Sequence, residues 1–169
     1  MSMTLRIKTV RNAALACAAI ALAAPVAIAG TATTTFQVTA TVLSVCSVTA
    51  TNLAFVNYDA SLATPNDNSS TVSVTCSPLE TYDVGLNAGT GTGATVAVRK
   101  MTSGANTLNY SLYQDAARST VWGDTVGTDT QASTGNGSAQ NYTVYGRIPV
   151  AQYVVPASYA DTITATVTY

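Results

Sequence analysis

Cys46 and Cys76, the aspartates at 115, 124, 129 and 161, and the run Gly89-Thr-Gly-Thr-Gly93 are the residues with chemistry to offer. The chain contains no histidine, which removes the imidazole base, the Ser-His-Asp and Cys-His systems and any His-rich metal cluster. Two of the aspartates brought together in space could act as general acid and base, which gives a hydrolase reading; scattered in turn-rich stretches, the same residues cap turns. Gly89 to Gly93 lacks the Lys-Ser/Thr of a phosphate-binding loop and no helical pattern follows it, so it reads as a flexible hairpin connection. Trp122 and the tyrosines at 110, 113, 142, 145, 153 and 159 could stack on a sugar or pack a core and its edges.

A leader changes the arithmetic. Arg6, Lys8 and Arg11 precede a short apolar stretch from Ala13 to Ala24, and Ala27-Ile28-Ala29 has the small residues of a cleavage site. Residues 1–29 therefore read as a secretory signal peptide, too short in apolar length to span a bilayer. Removing them leaves Arg99, Lys100, Arg118 and Arg147 against eight carboxylates, a net charge of −4. No basic footprint for nucleic acid remains. Cys17 leaves as well, and in an exported chain the remaining pair, Cys46 and Cys76, most simply forms one disulfide; a two-thiolate metal site is the alternative.

The remaining stretch of about 140 residues suits one domain. Threonine, valine and tyrosine are abundant, charge is sparse, and nothing after the leader keeps apolar residues at helical spacing, so the domain is expected to be all-β. Thr31 to Val42 alternates, with Phe36, Val38, Ala40 and Val42 on one side, as a lone strand with one dry face would. Further strand-like runs cover Leu53 to Tyr58, Thr71 to Cys76, Tyr82 to Leu86, Val96 to Val98, Leu108 to Tyr113, Tyr142 to Pro149 and Tyr159 to Tyr169. Thr64 to Ser70 reads as a polar loop, Gly123 to Gln140 as a surface loop, and Asn136-Gly137 as a tight turn. Short strands at this spacing point to a sandwich or barrel.

Three segments occur in order: Tyr110-Ser-Leu-Tyr-Gln-Asp-Ala-Ala-Arg118 with Trp122-Gly123, Tyr145-Gly-Arg-Ile-Pro149, and Tyr159-Ala-Asp-Thr-Ile-Thr-Ala-Thr-Val-Thr-Tyr169. With the early Cys46, this set resembles the spore coat protein U domain, a family that includes subunits of archaic, Csu-type chaperone-usher pili.

The resemblance implies an incomplete immunoglobulin-like β-sandwich that lacks its final strand and is completed by donor-strand complementation. Residues 43–169 would be the sandwich and residues 30–42 the donor segment, with Phe36, Val38, Ala40 and Val42 filling pockets. The groove edge would be the C-terminal strand, with Ile163, Ala165, Val167 and Tyr169. A donor of about eleven residues reaches ~36 Å when extended, enough to run along a strand. Burying its side chains contributes ~1–3 kcal/mol each. The implied partners are a periplasmic chaperone, an outer-membrane usher and other pilin copies, for a fibre subunit exported through the periplasm to the cell surface and supporting adhesion and biofilm formation. No enzyme activity, cofactor, metal or membrane insertion is expected. Asp115, Arg118 and Arg147 fall in the family-like segments and could pair with each other; a structural role, fixing a loop against the sandwich, is expected of them. A self-complemented coat or carbohydrate-binding sandwich, closing its groove with residues 31–42, is the alternative.

Overall fold

A computed structural model describes residues 28–169, so all but the last two residues of the expected leader lie outside the described residues. The chain divides into two compact units, Met1–Ala40 and Thr41–Tyr169. In the first, residues 28–40 form no strand, and Phe36 and Val38 are 85 % and 83 % exposed. The lone strand expected from the alternation is therefore not formed. Alternation supplies a dry face, but an extended segment also needs a neighbour for its N–H and C=O groups.

The second unit holds eight strands: β1 (Cys46–Ala50), β2 (Asn66–Cys76), β3 (Thr81–Leu86), β4 (Arg99–Ser103), β5 (Asn106–Tyr113), β6 (Gln131–Thr134), β7 (Gln140–Ile148) and β8 (Ala165–Thr168). They make an antiparallel five-stranded sheet, β1-β2-β7-β5-β4, and a three-stranded sheet, β6-β3-β8. No helix forms among the described residues. The core lies between the sheets, where Val72, Val74, Val84, Leu86, Trp122 and Ile148 are at most 2 % exposed. Each such side chain contributes about 1.5–3 kcal/mol by leaving water. Trp122 is thus core and not a sugar platform, its Nε1–H donating to the Val84 carbonyl at 2.8 Å.

Several boundaries differ from the sequence reading. The polar stretch 66–70 opens β2, because it pairs with β7 from Asn66↔Ile148 to Ser70↔Val144; cross-strand partners outweigh polar composition. Val96 to Val98 is not a strand: Thr95 N–H donates to Val98 O at 2.9 Å and closes a turn before β4. The loop from Gly123 to Gln140 contains β6, and Asn136-Gly137, with Gly137 at φ 78°, carries the chain from one sheet to the other. The terminal run does not continue to Tyr169. Ala160 bridges to Thr102 in β4, and only Ala165–Thr168 forms a ladder, with β3.

Cys46 and Cys76 stand opposite each other in the β1–β2 ladder, disulfide-bonded with Cα atoms 4.1 Å apart and 30 positions apart in sequence. Closing such a loop stabilises the fold by roughly 3–4 kcal/mol in the chain-entropy model. β1 and β8 each end their sheets with one edge unpaired. The molecule is an all-β sandwich one strand short along that side.

Candidate interaction groove

Between residues 50–60, which continue from β1, and residues 152–165, which lead into β8, runs a groove of about 1330 Å³. That exceeds the ~300–1,000 Å³ of small-molecule sites. Its floor is the sandwich core, with Val72, Leu108, Tyr110, Leu112, Val144 and Ile148. These floor residues are at most 5 % exposed, because both walls fold side chains over them. Leu53, Phe55 and Tyr58 pack down from one wall and Val154, Tyr159 and Ile163 from the other. Phe55 meets Tyr110 edge to face, with ring centres 6.2 Å apart.

Gly146, the glycine of Tyr145-Gly-Arg-Ile-Pro149, is where the first wall seats. A Cβ there would stand 2.8 Å from Leu53 Cδ1 and 2.8 Å from Phe55 Cζ, closer than carbon atoms approach without something shifting. Tyr58 anchors the end of the wall, its hydroxyl donating to Pro149 O at 2.8 Å and accepting from Gln152 N–H at 2.9 Å. Residues 52–58 make no main-chain to main-chain hydrogen bond. Instead Asn68 Nδ2 donates to Ala54 O at 2.5 Å, and Asn66 Nδ2 to Val56 O and Asn57 O at 3.2 Å each.

The second wall is buttressed by both main-chain and side-chain bonds. Asn87 N–H donates to Thr164 O at 3.1 Å, while Thr164 N–H donates to Asn87 Oδ1 at 2.9 Å. Asp161 accepts from Thr90 N–H and Oγ1 at 2.8 Å each and from the Tyr110 hydroxyl at 2.7 Å. Burial would raise the Asp161 carboxyl, but the Thr90 and Tyr110 hydrogen bonds outweigh it and leave the group below the usual carboxylate range. Burial, then the hydrogen bond to Asp161, pushes the Tyr110 phenol up.

Behind this wall lies Arg99, wholly buried. Its guanidinium donates to the carbonyls of Leu86, Asn87, Val96 and Trp122 at 2.6–2.8 Å. Burial pushes its pKa down, and Tyr110 and the Asp124, Asp161 and Asp129 carboxylates oppose that; an arginine stays charged under such conditions. It ties β3, β4 and the Trp122 turn into one frame for the wall, a role that the sequence reading missed.

Of the expected edge residues, Ile163 and Ala165 line the groove. Val167 packs on the core in β8, and Tyr169 is exposed beyond the strand. The pairing open to Asp115, Arg118 and Arg147 is different in fact. Arg147 grips Asp67 with two hydrogen bonds of 2.8 Å and Arg118 reaches the same carboxylate at 3.3 Å. Asp115 instead caps its own turn through Ser119 and Thr120 N–H groups at 2.7–3.1 Å. Asp129 does likewise for Thr125 at 2.7 Å. Asp67 escaped the sequence reading because it sat in the presumed loop.

The family described as Spore Coat Protein U domain matches residues 32–166. Protein U of Myxococcus xanthus is 35 % identical over 178 residues, covering 96 % of this chain and 98 % of that protein. The fold resembles a chain in the crystal structure of the CsuC-CsuE chaperone-tip adhesion subunit pre-assembly complex from archaic chaperone-usher Csu pili of Acinetobacter baumannii. The TM-score is 0.55 at 25 % identity, covering 76 % of this chain and 40 % of that one. This chain therefore spans two-fifths of the length of that neighbour. The likeness fits an incomplete immunoglobulin-like β-sandwich.

Proposed function

The chain belongs to the Spore Coat Protein U domain family, and from that premise we propose that it is a structural subunit of an extracellular chaperone-usher pilus. The observation that carries the reading is the groove: an apolar floor between two walls, the first of which makes no main-chain to main-chain hydrogen bond over residues 52–58. Such a site suits an added strand, since a strand brings both the missing N–H and C=O groups and alternate side chains for the floor. Left uncovered, the same edge and face would invite aggregation, which gives a periplasmic chaperone its task before an outer-membrane usher assembles the fibre.

The strand that fills the groove in the fibre comes from residues 30–42 of a neighbouring subunit. Its apolar positions Phe36, Val38 and Val42 are exposed, and with Ala40 they keep the spacing that a half-buried strand needs. Ile163 and Ala165 form the receiving edge, with Val167 continuing it into β8. Adhesion and biofilm formation are the cellular consequences of such a fibre. The protein acts by assembly and carries out no reaction.

The test uses the chain with Phe36→Asp and Val38→Asp, which disables its own donor, mixed with a synthetic peptide of residues 31–42. Thermal unfolding should move up by several degrees with the native peptide and stay put with a peptide carrying the same two aspartates. If the native peptide leaves the transition unchanged, the strand-accepting reading is wrong.

A further inference from the structure

The first groove wall departs from β2 in a specific way. In β1 the partly buried positions are Cys46 and Val48, whereas in the wall they are Leu53 and Phe55, so the inward phase changes from even to odd. One extra residue at 51–52 does this, as a bulge does. Carrying the β1–β2 register past that residue puts Ala54 opposite Ser69 and Val56 opposite Asp67. A continuous ladder would there join Ser69 N–H to Ala54 C=O.

Instead the Asn68 side chain stands between those two groups. Ser69 N–H donates to Asn68 Oδ1 at 2.8 Å, and Asn68 Nδ2 donates to Ala54 O at 2.5 Å. One carboxamide supplies an acceptor to one strand and a donor to the other, and only one orientation of the amide satisfies both. Side chains also make contacts on either side of this bridge. Thr71 N–H donates to Thr51 Oγ1 at 3.0 Å, and Asn66 Nδ2 takes Val56 O and Asn57 O at 3.2 Å each. Past Thr51, whose N–H still donates to Thr71 O at 2.9 Å, the side chains of Asn68 and Asn66 thus take the place of a run of main-chain bonds between β2 and the wall.

The displaced wall has somewhere to go. Leu53 and Phe55 lean over Gly146 and Phe55 reaches Tyr110, so the wall covers floor residues that are at most 5 % exposed although they line a groove. The geometry points to Asn66 and Asn68 as spacers that hold residues 53–57 folded over the groove floor, so that the wall must zip back onto β2 when a strand is taken in. They are positioning residues: they shield the apolar floor before assembly and slow strand capture. This rests on the strand-accepting reading for its purpose, but not for its geometry.

The test has two parts, on the chain with Phe36→Asp and Val38→Asp. In the first, no peptide is present. Asn68→Ala and Asn66→Ala/Asn68→Ala should let Ser69 N–H bond Ala54 directly, slowing hydrogen exchange at Ser69 about fivefold to tenfold, because a side-chain acceptor gives way to a main-chain one inside a continuous ladder, and removing the Phe55–Tyr110 contact in nuclear Overhauser spectra. Ser69 exchange that is unchanged or faster, or a retained Phe55–Tyr110 contact, overturns the proposal. Asn68→Val, which keeps strand propensity and has no hydrogen-bonding group, gives the same reading if the alanine variants do not fold. In the second part, a fluorescent peptide of residues 31–42 should enter the spacer variants about tenfold faster than the parent, and equal rates overturn the gating role. A parent that takes up no peptide sinks the strand-accepting reading instead, while the exchange result still decides the spacers.

Discussion

The charged residues of this sparsely charged chain are placed for fixing loops and strands, and their titration should be visible in stability. Asp67 is held below the usual carboxylate range by its hydrogen bonds to Arg147 and by Arg118, Asp115 is lowered to about 2 by the Thr120 and Ser119 N–H groups, and Asp161 also lies low. Each is a carboxyl whose ionised form the fold favours. Their contribution is therefore complete above the ordinary carboxylate pKa of ~4 and is lost as pH falls through the lowered values. The melting temperature should be level from about pH 7 to pH 4.5 and fall between about pH 4 and pH 2. Asp67→Asn isolates one share of this. Asp67 is partly exposed, so the variant should lose only about 0.5–1 kcal/mol near neutral pH, and the gap to the parent should close by pH 2. A deficit that persists unchanged at pH 2 would mean that the loss comes from packing and not from the ion pairs.

At the scale of elements, the disulfide is the pin for the open side of the sandwich. β1 has only β2 as a ladder neighbour and runs directly into the groove wall, so Cys46→Ser/Cys76→Ser should cost roughly 3–4 kcal/mol and raise hydrogen exchange in β1 well above that in β5 and β7. A uniform rise across all strands would argue against this local role. The strands around Thr71–Cys76, Tyr82–Leu86, Leu108–Tyr113 and Tyr142–Ile148, and the all-β class, were legible because alternation and turn residues report directly on burial, and the pairing of Cys46 with Cys76 was legible because the leader takes the third cysteine. The groove walls were not. Leu53–Tyr58 and Tyr159–Ile163 alternate like strands, yet the first is held by the side chains of Asn66 and Asn68 and the second by a single bridge from Ala160 to Thr102, which periodicity does not register. One signal was available: the inward phase of Val72, Val74 and Cys76 extends back through Ser70, Asn68 and Asn66, marking those asparagines as core-facing. Arg99 left a fainter trace, a cation at the start of a strand whose buried carbonyl cage comes from three separate segments.

For the whole molecule, the proposed donor segment and the groove are built from different residues, so contact between copies through them would be head to tail. Such heterologous contacts do not close on themselves unless a rotation brings the ends together, and otherwise they propagate into a filament. This separates the fibre reading from self-closure without reference to any partner. One variant, Phe36→Asp/Val38→Asp, keeps its groove and loses its donor; another, Ile163→Arg, keeps its donor and places a long charged side chain where the groove edge lines an apolar floor. Alone, each should remain monomeric. Mixed, they should form dimers, one donor strand in one groove, and stop there, because the dimer retains only a disabled donor at one end and a blocked groove at the other. Light scattering of the mixture reads the outcome. Dimers require that the strand act between copies, whereas a parent chain that stays monomeric at concentrations where the variants fail to pair would mean that each molecule fills its own groove.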